Sequence, residues 1–133
     1  VSAAAGAKAL ELLATQPIND RANAAASRLK AGLNDVLSKL EIPGCAAGVG
    51  SAIFLRLGVD HECDKEVCLM SDKDQHKVED RTVRHQLELA MYANGADGGQ
   101  RFIVSSVHTD RDIDETVEAA ERSLIAVRAQ GLV

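Results

Sequence analysis

The sharpest change of hydrophobic period along the chain falls at Thr109. Before it, Phe102, Val104 and Ser106 alternate with Ile103, Ser105 and Val107, the period-2 pattern of a strand with two non-polar faces. After it, Ile113, Val117, Ala120, Leu124 and Val127 recur at helical spacing. Thr109 is suited to accept orphan backbone N–H groups as an N-cap, and Asp110, Asp112 and Asp114 put negative charge in the positive first turn. A strand followed by a capped helix is therefore predicted over 101–127.

The same reading carried along the chain gives the other elements. Ala7, Leu10, Leu13 and Ala14 have helical spacing over 3–15, until Gln16-Pro17-Ile18 interrupts, because proline disfavours helix in the residue before it. With Asn19 or Asp20 as a cap, Ala22, Ala25, Leu29, Leu33, Val36 and Leu40 predict a helix of about 20 residues, roughly 30 Å long. Its other side, with Arg21, Arg28, Lys30, Asn34 and Lys39, reads as a solvated face. Glu41-Ile42-Pro43-Gly44 reads as a turn of type II, with Pro43 and Gly44 as its second and third positions counted from Ile42.

Two extended pieces follow, 45–49 and 51–57, punctuated by Gly48 and Gly50. In the second, Ile53, Leu55 and Leu57 alternate with Ala52, Phe54 and Arg56, so Arg56 marks a face turned to solvent or to a partner. Residues 58–78 are charged and aperiodic, a long excursion with a short helical turn expected at 71–77. From Glu79 a helix resumes, with Val83, Leu87, Ala90 and Met91 on one face and Asn94-Gly95 as its left-handed stop. Gly131 closes the last helix. Helices and strands in this order predict an α+β fold: a small, mainly antiparallel sheet with helices packed on one face, preceded by a long helix. No repeat or linker divides residues 1–133, so they read as a single domain.

Composition narrows what such a domain can do. Two Phe, one Tyr and no Trp leave a core of Ala, Leu, Val and Ile, which favours close-packed helices over a wide aromatic-lined cleft. A net charge of −5 argues against nucleic acid as a partner. No apolar run approaches the roughly 20 residues of a membrane span. Three unevenly spaced cysteines read as reduced thiols, which points to a cytoplasmic setting. The chain begins at Val1 inside a helix-forming segment with only Ser2 as a potential cap, which suggests a fragment of a longer protein.

Candidate chemistry is sparse. His61, Cys63, Cys68 and His76 offer four donors for a tetrahedral zinc, but H-x-C-x4-C-x7-H matches no compact ligand pattern, so no metal is expected. Ser105, Ser106 and His108 lack a nucleophile elbow and precede a helix cap. The Gly95 to Gly99 loop runs from helix to strand, the reverse of a phosphate cradle. Lys8, Lys30, Lys39, Lys65, Lys73 and Lys77 include none in the setting of a desolvated Schiff-base lysine. No catalytic residue is read from the chain by itself.

The run Arg101-Phe102-Ile103-Val104-Ser105-Ser106-Val107-His108-Thr109-Asp110, with Asp112-Ile113-Asp114 and Thr116, resembles the C-terminal end of class III pyridoxal-phosphate aminotransferases, in their glutamate-1-semialdehyde aminomutase branch. Ser2 to Gly6 with Ala9-Leu10 is similar to the helix that leaves the large domain of that family, and Ile42-Pro43-Gly44 with Gly48 to Ser51 resembles the start of its small domain's sheet. The resemblance implies a C-terminal small domain with its leading helix. In the parent enzyme, a cytoplasmic homodimer, pyridoxal 5'-phosphate and its lysine would belong to the large domain, and this chain alone would bind no cofactor. Eight residues before His108 stands Gln100, where aminomutases carry a glutamate. An amide supplies no negative charge, so the parent reads as an aminomutase or as a transaminase using another amino donor. Gln100 and Arg101 are then the expected substrate-binding residues, for an amino acid or amino ketone. The alternative is a complete small α+β binding or protein-interaction domain without catalysis.

Overall fold

The computed structural model of the protein describes residues 2–59, 71, 74 and 80–133. In chain order these form α1 (Ser2–Thr15), α2 (Ile18–Lys39), β1 (Gly44–Val49), β2 (Ala52–Leu57), α3 (Arg81–Ala93), β3 (Arg101–Ile103) and α4 (Asp110–Ala129). The strands make one antiparallel sheet in the order β1-β2-β3. The predicted α+β arrangement is the observed one.

The alternation in β2 sets the layers. Ile53, Leu55 and Leu57 are buried and meet α2 and α4 in one cluster with Leu29, Leu33, Leu87, Met91, Leu124 and Val127. The opposite sheet face carries Phe54 and Ile103, 39% and 65% exposed. Arg56 lies on that second face, half-buried, with a buried Nη1 that has no hydrogen-bond partner among the described residues. Helices α2 and α4 lie side by side in the same direction: Arg28 forks onto Asp114 with contacts of 2.8 to 3.0 Å, and Lys39 reaches Glu121. Between those pairs Gly32 allows close approach, since a Cβ there would sit 2.7 Å from Val117.

Several expectations need correction. Helix α2 starts at Ile18 after Pro17, not behind an Asn19 or Asp20 cap, and Asp20 lies in its first turn. Asn34 is not solvated: its Nδ2 donates to the Ala46 carbonyl (3.0 Å) and its Oδ1 accepts from the Ala46 N–H (2.9 Å), so an α2 side chain occupies the outer edge of β1. The turn after α2 takes its left-handed residue at Glu41 (φ 51°) rather than at Gly44. Glu41 N–H bonds Ser38 O and Ile42 N–H bonds Leu37 O, a double closure that satisfies the last carbonyls. Helix α1 forms as predicted, but its apolar positions are not core: Leu10 and Leu13 are 69% and 45% exposed, and none of its residues is buried. The helix after the excursion is capped by Asp80, which accepts from Thr82 N–H (2.7 Å) and Val83 N–H (3.3 Å). The helical turn expected at 71–77 falls, apart from Ser71 and Asp74, outside the described residues.

The cap of α4 is as predicted and more complete. Thr109 Oγ1 accepts from Asp112 N–H, while Asp112 Oδ2 accepts from Thr109 N–H at 2.7 Å and from its hydroxyl at 2.8 Å. Those two donors hold the Asp112 carboxyl below its ordinary value of 3.8. A carboxyl with a depressed folded-state pKa contributes stability above its unfolded pKa and loses it as pH falls through the folded one. Thr109→Ala is accordingly expected to cost about 1 kcal/mol at neutral pH, with the difference from wild type narrowing below about pH 4 as Asp112 protonates. Urea midpoints across pH read this, and a pH-independent difference would show that Asp112 takes no part.

Candidate functional site

The start of β3 is positioned from both sides. Leu55 N–H bonds Gln100 O (2.8 Å) and Val104 N–H bonds Ser51 O (2.8 Å), which brackets Arg101–Ile103 against β2. On the incoming side, α3 ends in the double closure that Asn94-Gly95 predicts. Gly95 takes φ 86°, its N–H bonds Tyr92 O, and Ala96 N–H bonds Met91 O. Phe102, 5% exposed, locks the strand into the core.

Gln100 and Arg101 both line a groove of about 310 Å³ with Phe54, Arg84, Glu88, Tyr92, Asp97 and Gly98. Arg101 also lines a second groove of about 320 Å³, which runs along β3 to His108, Asp112 and Thr116 at the start of α4. It therefore stands on the ridge between the two. The electrostatics of the first groove are uneven. Glu88 is paired with Arg84 at 3.1 Å. Asp97 lies beside Tyr92 in the groove, and its carboxylate, as hydrogen-bond acceptor and as charge, pushes that phenol's pKa upward. Glu88 is thus engaged, whereas no hydrogen bond or ion pair among the described residues involves the exposed Arg101 guanidinium. Such a surface can take an anion, and a planar guanidinium suits a carboxylate in two-point contact.

The structure therefore brings together the two positions named from the sequence, Gln100 and Arg101, and adds Tyr92, Arg84 and Glu88, which the sequence reading passed over. These three lie four residues apart on α3. That spacing was visible, but a polar helix stripe by itself reads as solvated surface.

The other candidates behave as turn builders or lie out of view. Ser105 N–H donates to His108 Nδ1 (2.9 Å), and Ser105 Oγ accepts from Val107 N–H (3.3 Å). Serine and histidine thus shape the link into α4, and the strand predicted through Val107 stops at Ile103, with Val107 80% exposed. His61, Cys63, Cys68 and His76 lie outside the described residues. Among the described residues no cluster of three metal-ligating side chains occurs, and no helix is long and apolar enough to cross a membrane.

No family model matches the sequence. The chain is 31% identical over 124 residues to a glutamate-1-semialdehyde 2,1-aminomutase from Methanopyrus kandleri, an alignment that takes in 93% of this chain and 28% of that protein. Among solved structures, a glutamate-1-semialdehyde aminomutase from Pseudomonas aeruginosa superposes with a TM-score of 0.70 at 14% identity, covering 85% of this chain and 24% of that one. An omega-transaminase from Sphaerobacter thermophilus gives 0.66 at 19% identity, covering 82% and 24%. A point variant of the Pseudomonas protein has also been solved in complex with PMP. The chain thus spans about a quarter of the length of the relatives it matches. It is related to the class III pyridoxal-phosphate aminotransferases and aminomutases, and its α+β fold is shared with them, so the resemblance read around His108-Thr109-Asp110 is borne out.

Proposed function

We propose that this chain is the C-terminal small domain of a pyridoxal-phosphate-dependent aminotransferase or aminomutase, and that it closes over a cofactor held by a larger domain of the same protein. The observation that carries the reading is the lopsided match: nearly all of this chain aligns, to little more than a quarter of its relative. Two surfaces support it. The apolar side of α1 and the sheet face with Phe54 and Ile103 are left open among the described residues, as surfaces that the rest of a larger protein would cover.

The described residues do not fit the cofactor itself. Its aldehyde needs a lysine, and its ring nitrogen needs an acidic or cationic partner. Lys8 and Lys39 are ion-paired to Glu11 and Glu121. Lys30 lies in a groove with Asn23, Ser27, Gly48, Val49, Gly50 and Ile53, which offers no ionised partner for the ring. Lys65, Lys73 and Lys77 lie outside the described residues; on the family resemblance the group and its lysine are assigned to the large domain, and the active protein is read as a cytoplasmic homodimer. This chain's part is to hold Arg101 over the site so that its guanidinium pairs with the carboxylate of an amino-acid or amino-ketone substrate, with Gln100 alongside as a neutral donor and acceptor.

The test is made on the whole enzyme. Arg101→Ala should raise the KM for a carboxylate-bearing substrate by roughly 10-fold or more, the worth of a hydrogen bond to a charged group, with the bound-cofactor absorbance unchanged. An unaltered KM would remove Arg101 from the site. A reading frame with no cofactor-binding domain upstream of Val1 would overturn the assignment as a whole.

A further inference from the structure

The side chain of Asn94 sits at the junction of α3 and α4, and its orientation is fixed by its partners. Ala90 O can only accept and Arg122 Nε can only donate, so Nδ2 must face the first (2.9 Å) and Oδ1 the second (3.1 Å). The second Nδ2 proton goes to Ser123 Oγ (3.1 Å), which in turn donates to Ala119 O (2.7 Å) and is fully buried. The amide therefore has both protons and its oxygen engaged. The next residue is Gly95, whose backbone nitrogen has no side chain to hinder it. That nitrogen donates to Tyr92 O at 3.1 Å, and Asn94 is held in the bridge region at φ −94° and ψ 8°.

We propose that Asn94-Gly95 is a spontaneous modification site gated by the α3–α4 junction. When the end of α3 opens, the freed Gly95 nitrogen, losing its proton to solvent, attacks Asn94 Cγ. A C–N bond forms, the side-chain nitrogen takes a proton back from solvent as its bond to Cγ breaks and leaves as ammonia, and a five-membered imide results. Water then opens either carbonyl to give aspartate or isoaspartate, with no oxidant or reductant required. In the closed fold three features oppose the attack: the nucleophile's hydrogen bond to Tyr92 O, the engaged leaving group, and the backbone fixed at a ψ of 8°. Only opening, local or global, releases all three. The product matters to the groove. Isoaspartate lengthens the backbone by one carbon immediately before the loop that delivers Gln100 and Arg101, and either product loses the donors to Ala90 O and Ser123 Oγ.

The experiment incubates the protein at mildly alkaline pH, folded and in denaturing urea. The peptide containing Asn94 is then quantified by mass spectrometry, with isoaspartate distinguished from aspartate by fragmentation. Conversion in the folded protein should be at least about 10-fold slower than in the denatured one, and isoaspartate should be among the products. Ser123→Ala, which removes one anchor of the amide, should raise the folded rate severalfold. A series of sub-denaturing urea concentrations on wild-type protein tests the same gate without a variant, and the rate should climb with opening. Equal rates in folded and denatured protein, a rate flat across the urea series, or product without isoaspartate would overturn the proposal.

Discussion

Phe102→Ala is expected to cost roughly 3–5 kcal/mol of folding free energy, the usual range for truncating a buried phenylalanine. The ring is 5% exposed and is the single buried side chain of a three-residue strand. It lies opposite Ile53 in the ladder, and it also supports the loop before the strand, where a Cβ on Gly98 would come within 2.5 Å of its edge. A cavity there cannot be refilled by the neighbouring strand residues, because Arg101 and Ile103 project to the other face. Ile103→Ala is the matched control: its side chain is 65% exposed, and its loss should move stability by no more than about 0.5 kcal/mol. Urea midpoints of the two variants decide the matter, and similar losses would mean that β3 is not anchored through Phe102. Because Arg101 is the preceding residue, loosening this anchor should also weaken any carboxylate binding at the ridge between the grooves.

Gly48→Ala should have the second large effect, from crowding rather than a cavity. A Cβ at this position would fall 1.9 Å from Ala52 O and 3.0 Å from Ile53 Cα, all backbone of the paired strand, so no side chain can swing aside. Removing glycine's freedom in the unfolded chain favours folding by at most about 1 kcal/mol, whereas overpacking costs about 1–3 kcal/mol. Crowding wins, and with backbone on both sides the upper end is expected. Gly6→Ala has the opposite sign: nothing lies within 4 Å of the added carbon, and α1 should gain up to about 1 kcal/mol of helix propensity. Thermal melts of the pair test this, and a Gly48→Ala protein as stable as wild type would show that the hairpin relaxes freely.

The elements that the sequence revealed best are those whose causes lie within a few residues. The α4 cap is one, since Thr109 and Asp112 satisfy each other across a single turn. The Asn94-Gly95 stop is another, because only the local φ of Gly95 is at issue. The α+β class followed from the order of such elements. The strand predicted through Val107 was lost for a non-local reason. Its template β2 begins at Ala52, beyond the tight turn at Gly50-Ser51, so the last available partner is Ser51 O, taken by Val104 N–H. Past that point Ser105 and His108 bond each other, and alternating apolar residues have no ladder to join. Asn34 is a similar case: its position on α2 reads as polar surface until β1 is brought against it.

For the candidate site, the chain order and the family resemblance singled out Gln100 and Arg101, but not what surrounds them. Arg84, Glu88 and Tyr92 come from a separate helix; the Arg84–Glu88 pair lies within that helix, but the groove it lines with Gln100 and Arg101 exists only once α3 docks beside the sheet. The sequence by itself determined where α4 starts and α3 stops, which residues of β2 face inward, and which family it resembles, since periodicity, capping and motif are short-range properties of a chain. Tertiary structure alone decided how far β3 extends, that α1 contributes nothing to the core, and that Arg28 and Lys39 of α2 meet Asp114 and Glu121 of α4. A strand's length, a residue's burial and an ion pair between helices each require two distant segments to meet.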